Sequence, residues 1–258
     1  LLGNSVGILS VASVTHCGYR RPRNEDCVLV GNRILCGDFE RWEQDFSVRS
    51  GVIPLAIADG LGGHRGGQIA SRFVVSELDA LFGRMLSARA TSFPQVLNDL
   101  SSGLAAQMRQ DPDVIGMGST IVLVCIEPNA LTFANVGDSR AYFFDHQELM
   151  QISVDDVPQP KGGPEGKPRS AAITQALGGA AAGLKSVVPH LRTMEFPMGE
   201  WSIVLCSDGV TDFVPDSDIL EALLGGNFDV MQLVNKALAA GGLDNISIIA
   251  ATFRPGQA

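Results

Sequence analysis

Acidic residues stand at the ends of apolar runs along this chain. Asp59 closes "PLAIAD", Asp138 follows "FANVG", Asp208 follows "IVLCS", and Asp244 precedes "NISIIAATF". Glu25 and Asp26 precede "CVLV", and several of these acids adjoin glycine, as in Asp59-Gly60, Gly137-Asp138 and Asp208-Gly209. A single Asp-Gly pair is ordinarily a turn. Recurrence at strand ends implies more: if those ends converge at one edge of a sheet or sandwich, the carboxylates converge too. They would then repel one another and raise each other's pKa unless a cation neutralised them. The donors are oxygens, the four histidines are scattered, and the cysteines form no close-spaced pair. Such a set favours Mg²⁺, Mn²⁺ or Ca²⁺. No twelve-residue calcium loop is present, and ligands far apart in sequence suit a catalytic Mg/Mn pair better.

The stretch "IADGLGGHRGGQIAS" (57–71) adds glycines to such a strand end. Asp59 can bridge two cations, and Gly60 can add its carbonyl oxygen with no side chain in the way. A nucleotide loop is the alternative, but the Lys-Ser/Thr of a P-loop is missing and the spacing does not fit G-x-G-x-x-G. In "RRPRNED" (20–26) three arginines precede two acids. They make either a solvated charge cluster or a bidentate clamp for a phosphate beside the metals. No cysteine-phosphatase loop and no G-x-S-x-G elbow occurs.

The elements that must position these residues follow from pattern. Strands are expected at Val28–Val30, Pro54–Ala58, Thr120–Ile126, Leu131–Val136, Ala141–Phe144, Ile203–Cys206 and Ile246–Phe253. The turn "EPNA" makes the 120–126 and 131–136 pair an antiparallel hairpin, and the apolar N-terminus reads as a first strand rather than a signal peptide. Helical periodicity covers 68–83 and about 96–108, with further helices at 216–224, capped by Asp216, and 228–239. Helices in pairs between groups of strands point to antiparallel sheets with helices outside. Residues 157–170, rich in Pro and Gly, form a loop inside a flap at about 151–172, and 37–53 is a polar insert, plain loop cover or a docking surface. The whole of 1–258 is expected to form a single domain.

Bulk properties set limits. The chain has 258 residues, 45% hydrophobic and 18% charged, with a net charge of −9. That excess of acid argues against general nucleic-acid binding. No apolar run reaches membrane-spanning length. Five cysteines, at 17, 27, 36, 125 and 206, are expected as reduced, buried thiols in a cytoplasmic protein.

Taken in order, these motifs resemble the metal-dependent serine/threonine protein phosphatases, the type-2C or PPM family, in its bacterial form. The resemblance rests on "GYRRPRNED", "ADGLGGHRGG", "GSTIVLVCIEPNALTFANVGDSRAYFF", "ITQALGG", "LCSDGVTDFV" and "GGLDNISII", and covers nearly the whole chain. It implies an α+β fold, a four-layer α-β-β-α sandwich of two antiparallel sheets flanked by helix pairs. It implies a dinuclear Mn²⁺/Mg²⁺ centre with Asp59 bridging, the Gly60 carbonyl on one ion, and Asp208 and Asp244 on the other. Glu25 and Asp26 act as ligands or through water, and Asp138 matches the acid of a third, weaker metal. Arg21 matches the phosphate-binding arginine, with Arg20 and Arg23 as local competitors. The implied reaction is hydrolysis of phosphoserine or phosphothreonine in proteins by a water bridging two ions, opposing a bacterial Ser/Thr kinase. Leu61 stands directly after Asp59-Gly60, where some eukaryotic members carry a histidine, so the leaving-group proton comes from water or elsewhere, and His64 is not assigned that role. The rival readings are a non-catalytic phosphoprotein-binding module and a hydrolase of small phosphate esters.

Overall fold

A computed structural model describes residues 7–49, 51–62, 66–84, 92–158, 172–178, 186–225 and 228–256. Thirteen strands are seen among the described residues: β1 (Gly7–His16), β2 (Asp26–Val30), β3 (Arg33–Leu35), β4 (Phe39–Ser47), β5 (Ile53–Leu61), β6 (Gly118–Ser119), β7 (Ile121–Glu127), β8 (Ala130–Val136), β9 (Arg140–Phe144), β10 (Leu149–Gln151), β11 (His190–Glu195), β12 (Trp201–Cys206) and β13 (Ile246–Pro255). The helices are α1 (Gly66–Phe82), α2 (Phe93–Gln110), the short α3 (Asp208–Thr211), α4 (Asp216–Leu224) and α5 (Val230–Ala239). The strands form two antiparallel sheets. One runs β10-β9-β12-β13-β1-β4; the other runs β11-β8-β7-β5-β2-β3, with β6 paired to β5.

Side-chain alternation explains the layers. Along β5, Leu55 and Ile57 point between the sheets, where they meet Leu9, Val124, Ile203 and Leu205. Ala56 and Ala58 point the other way, against Val74 and Leu78 of α1 and Leu97 and Leu104 of α2. On the second sheet, Val204, Cys206, Ile246 and Ile248 pack on Ile219, Leu233 and Val234 of α4 and α5. Strands covered on both faces read as unbroken apolar runs, so the central strands stood out in the sequence. The result is the α-β-β-α sandwich the family resemblance implied, with the antiparallel sheets and outer helices that the pattern pointed to.

The differences lie at the edges. Residues 37–53 are not loop cover. Phe39–Ser47 is an edge strand paired along its length with β1. Its even positions, Trp42 and Phe46, pack into the inter-sheet core, while Arg41, Glu43 and Asp45 face solvent. A half-buried edge strand needs few apolar residues, so its polar composition hid a period of two. Cys27 and Cys36 are joined as a disulfide next to the β2–β3 hairpin, which corrects the expectation of reduced thiols for that pair; Cys17, Cys125 and Cys206 are free. Helix α4 is capped by Pro215, with Asp216 as its first residue, and α5 begins at Val230 behind an Asp229 cap that accepts from the Met231 N–H. Residues 159–171 of the flap, and His64, lie outside the described residues. No described helix is long and apolar enough to cross a membrane.

Candidate metal centre

The acids meet because the two sheets deliver strand ends to the same end of the sandwich. Asp26 and Asp59 are direct partners in the antiparallel β2–β5 pair, so their side chains share one face. Asp208 leaves the end of β12, and Asp244 arrives just before β13, its neighbour in the other sheet. Asp138 sits in the turn from β8 to β9, which carries the chain from one sheet to the other.

Buried polar groups fix this arrangement. The Ser207 hydroxyl donates to Asp26 Oδ2 at 2.9 Å and accepts from the Ser247 N–H at 2.9 Å. Asp26 Oδ1 is buried and takes no hydrogen bond. The Asp59 N–H donates to Thr120 Oγ1 at 3.2 Å, and the Asp59 carbonyl accepts from the Thr120 N–H at 2.8 Å and the Ser119 hydroxyl at 3.1 Å. Asn245 ties the arginine loop to this end: its side-chain nitrogen donates to the carbonyls of Cys17 and Arg23, and its side-chain oxygen accepts from the Glu25 N–H at 2.9 Å. Sequence pattern does not single out these supports: Ser207, Asn245 and Ser247 carry only their adjacency to acids in "CSDG" and "DNIS", and Ser119 and Thr120 carry no signal of that kind. Gly60 is held by close approach: a Cβ there would run into the Gly67 carbonyl oxygen and lie 2.7 Å from that of Glu25.

The electrostatics reflect the crowding. Burial, then Asp26, Asp208, Asp244 and Asp138, push the Asp59 carboxyl well above its usual range. Burial and the charges of Asp138, Asp244 and Asp26 push Asp208 up to about 8. Burial lifts Asp26 to about 6, against hydrogen bonds from Ser247 and Ser207 that favour its charged form. Asp138 is also lifted to about 6, chiefly by burial, with Asp212 and Asp155 adding to it. Glu25 is raised by burial, which Arg21 and Arg23 oppose. Of the three neighbouring arginines, Arg21 is the one in contact with the acids: its Nη2 lies 2.6 Å from Asp244 Oδ2.

Among the described residues, no three His, Cys, Asp or Glu side chains close around one point as a finished metal cage. The guanidinium of Arg21 stands against one of the expected ligands instead. The donor set nevertheless fits a hard cation: every donor is oxygen, the carboxylates repel one another, and a buried oxygen of Asp26 has no partner. A groove of about 540 Å³ lies elsewhere, on the outer face of β1, β4 and β13, lined by Arg41, Glu43, Asp229 and Arg254 among others. Its opposite charges are interspersed, so it lacks the one-signed crowding of the acid end.

Comparison with known proteins matches the protein phosphatase 2C family over residues 32–240. The chain belongs to that family. It is 33% identical over 259 residues to the serine/threonine protein phosphatase PstP of Mycobacterium tuberculosis (strain H37Rv), covering 95% of this chain and 45% of PstP. The chain thus spans about half the length of that relative. It is 27% identical over 260 residues to the protein phosphatase PhpP of Streptococcus pneumoniae (strain R6), covering 93% of this chain and 96% of PhpP. A crystal structure of the M. tuberculosis PstP/Ppp phosphatase superposes with a TM-score of 0.76 at 31% identity, over 95% of this chain and 98% of that one. The catalytic domain of PstP in complex with two manganese ions superposes with a TM-score of 0.73 at 29% identity, over 96% and 99%.

Proposed function

We propose that this chain is a metal-dependent phosphoprotein phosphatase acting on phosphoserine and phosphothreonine, built as one domain over 1–258. The observation that carries the reading is the pairing of Asp26 with Asp59 on adjacent strands, with Asp208 and Asp244 brought to them from the other sheet. Asp59 and the Gly60 carbonyl, with Asp208 and Asp244, would hold two Mn²⁺ or Mg²⁺ ions. Glu25 and Asp26 would act as ligands or through water, and Asp138 would serve a third ion. Such ions supply, when bound, an acidified water as nucleophile and positive charge against the phosphoryl oxygens.

The protein's own groups do the rest. Arg21 binds a phosphoryl oxygen; to do so its guanidinium exchanges the Asp244 carboxylate for the substrate. Asp26 and Asp59, register partners on β2 and β5, hold their carboxylates on one face for the ions. Leu61 cannot donate a proton, so the leaving serine or threonine oxygen takes one from water or from another group. The substrates are phosphorylated proteins, and the opposing enzyme is a Ser/Thr kinase. We place the domain in the cytoplasm, where ATP-dependent kinases make such substrates. There the Cys27–Cys36 bond faces a reducing pool.

Hydrolysis of a phosphothreonine peptide, by wild type and Asp208→Asn, in EDTA, Mg²⁺ and Mn²⁺, tests this. Turnover that requires Mn²⁺ or Mg²⁺ and collapses in the variant is expected. A folded, metal-binding protein with no turnover in any metal would move the reading to a phosphoprotein-binding module.

A further inference from the structure

Beside Arg21 lies a patch of exposed apolar side chains that the proposed chemistry does not use. Tyr19 is 67% exposed, Phe39 56% and Leu243 47%. Single exposed hydrophobics need no explanation, but Tyr19 and Phe39 are joined through His16. The His16 ring sits edge-on to both aromatics, 6.3 Å from Tyr19 and 5.6 Å from Phe39. Tyr19 lies over Gly242, where an added Cβ would be 2.9 Å from the tyrosine ring, and Leu243 follows directly. The His16 Nδ1 accepts from the Gly18 N–H at 2.8 Å, which fixes the ring's orientation.

The patch and the phosphate arginine are one piece of structure. The N–H groups of Tyr19 and Arg20 both donate to the Gly242 carbonyl, at 2.8 and 3.2 Å. Arg21 then reaches Asp244. The Cys17 thiol donates to the Arg21 carbonyl at 3.2 Å, and the Cys17 N–H donates to the Asp38 carbonyl, next to Phe39. Gly18, at φ +78°, lets this loop press against the Asp244 carbonyl where a Cβ would clash. Aromatic side chains held this way lose little rotamer freedom on binding, as anchor residues of peptide-binding surfaces do.

We propose that Tyr19, His16, Phe39 and Leu243 bind an apolar side chain of the phosphorylated polypeptide, close in sequence to the residue whose phosphate Arg21 takes. The inference rests on the phosphatase reading for its anchor and extends it to a substrate class: phosphoserine or phosphothreonine segments flanked by an apolar residue. An extended chain advances about 3.3–3.6 Å per residue, so the patch, continuous with the Arg21 loop, meets positions within a few residues of the phosphate. The exposed carboxylate of Asp38, beside Phe39, disfavours an acidic residue there.

Two phosphothreonine peptides test it, one with leucines two residues to either side of the phosphothreonine, the other with serines. Wild type and Tyr19→Ser/Phe39→Ser would be compared by kcat/KM in Mn²⁺ and, without turnover, by fluorescence anisotropy of the labelled peptides in EDTA. Wild type should favour the leucine peptide about tenfold in both, roughly what one part-buried leucine contributes. The double variant should lose that preference, and Tyr19→Phe should keep it. Equal handling of both peptides by wild type would overturn the proposal. So would a double variant that keeps the preference, or one whose only change is loss of a concentration-dependent dimer, which would make the patch a contact between copies. No hydrolysis in Mn²⁺, with the leucine preference kept in EDTA, would sink the phosphatase reading and leave the docking surface standing.

Discussion

Two groups of shielded charge lie near each other in this molecule, and they are built on opposite plans. At one, Arg140 is matched on every side. Its Nη2 and Nε reach Asp155 at 2.9 to 3.2 Å, its Nη1 reaches the Tyr142 hydroxyl at 3.0 Å, and that hydroxyl donates to Asp216 at 2.9 Å. At the other, Asp26, Asp59, Asp208 and Asp244 crowd together, and the cation in contact with them is Arg21, whose side chain is 48% exposed. Balanced shielded charge holds a structure together. Unbalanced shielded charge is a cost that persists because something else binds there. The contrast separates a structural network from a candidate active site without reference to relatives.

Neutralising one acid should break the contrast most sharply. Asp208→Asn is expected to lower metal-dependent phosphopeptide turnover about 10³-fold. The same change should raise the melting temperature of the metal-free protein, because it removes a repelled carboxylate. Lost activity with lowered metal-free stability would mean that Asp208 is a structural acid like Asp155. At the balanced cluster the sign is reversed. Arg140→Met removes the guanidinium that reaches both Asp155 and the Tyr142 hydroxyl, and should cost about 3 kcal/mol in denaturant unfolding. Adding Asp155→Leu should recover part of that, since it removes the carboxylate left facing the methionine. Arg21→Ala should lower kcat/KM about 10- to 100-fold, the scale of a lost charge-assisted hydrogen bond, while protein stability hardly changes because the pair is half exposed. A comparable loss in Arg20→Ala but not Arg21→Ala would reassign the clamp.

The same contrast explains what could be read in the sequence. Central strands with both faces covered are plain apolar runs, so β5, β7, β8, β12 and β13 were legible, and so were the acids at their ends. Antiparallel sheets with helices outside followed from their grouping, and the face-to-face sandwich from the family resemblance. Edge elements were not legible. The strand Phe39–Ser47 buries only alternate residues, and Trp42 and Phe46 alone carried its signal. Cys27 and Cys36 are nine residues apart, a spacing that marks no motif; the β2–β3 hairpin brings them to a Cα separation of 4.6 Å. Within the site, the acids could be found by type, whereas Asn245, Ser207 and Thr120 could not. A buried hydroxyl or amide is recognisable as a support only once the strand register shows what it faces. The family motif pointed to Arg21 over Arg20 and Arg23, but its contact with Asp244 depends on how the loop lies over Gly242.

The smallest effect expected is also the one that tests the electrostatic argument most directly. Carboxylates whose folded pKa is raised hold their protons more tightly in the folded than in the unfolded chain. As pH rises above the ordinary carboxylate value, near 4, the unfolded chain gives up these protons first, and folding stability falls. The fall should continue through the value of about 8 for Asp208, with Asp59, also raised well above its usual range, adding to it. Metal-free protein should therefore melt a few degrees lower at pH 8.5 than at pH 6, by the usual relation of stability to melting temperature. Mn²⁺ should reverse the slope, because binding a cation requires these acids ionised and so gains affinity as pH rises. Asp208→Asn should flatten the metal-free slope, whereas Arg140→Met should leave it in place while lowering the whole curve. A metal-free protein whose melting temperature is level from pH 6 to 8.5 would mean that the acids do not crowd as the strand register demands. The balanced and unbalanced clusters would then differ in partners but not in stored repulsion.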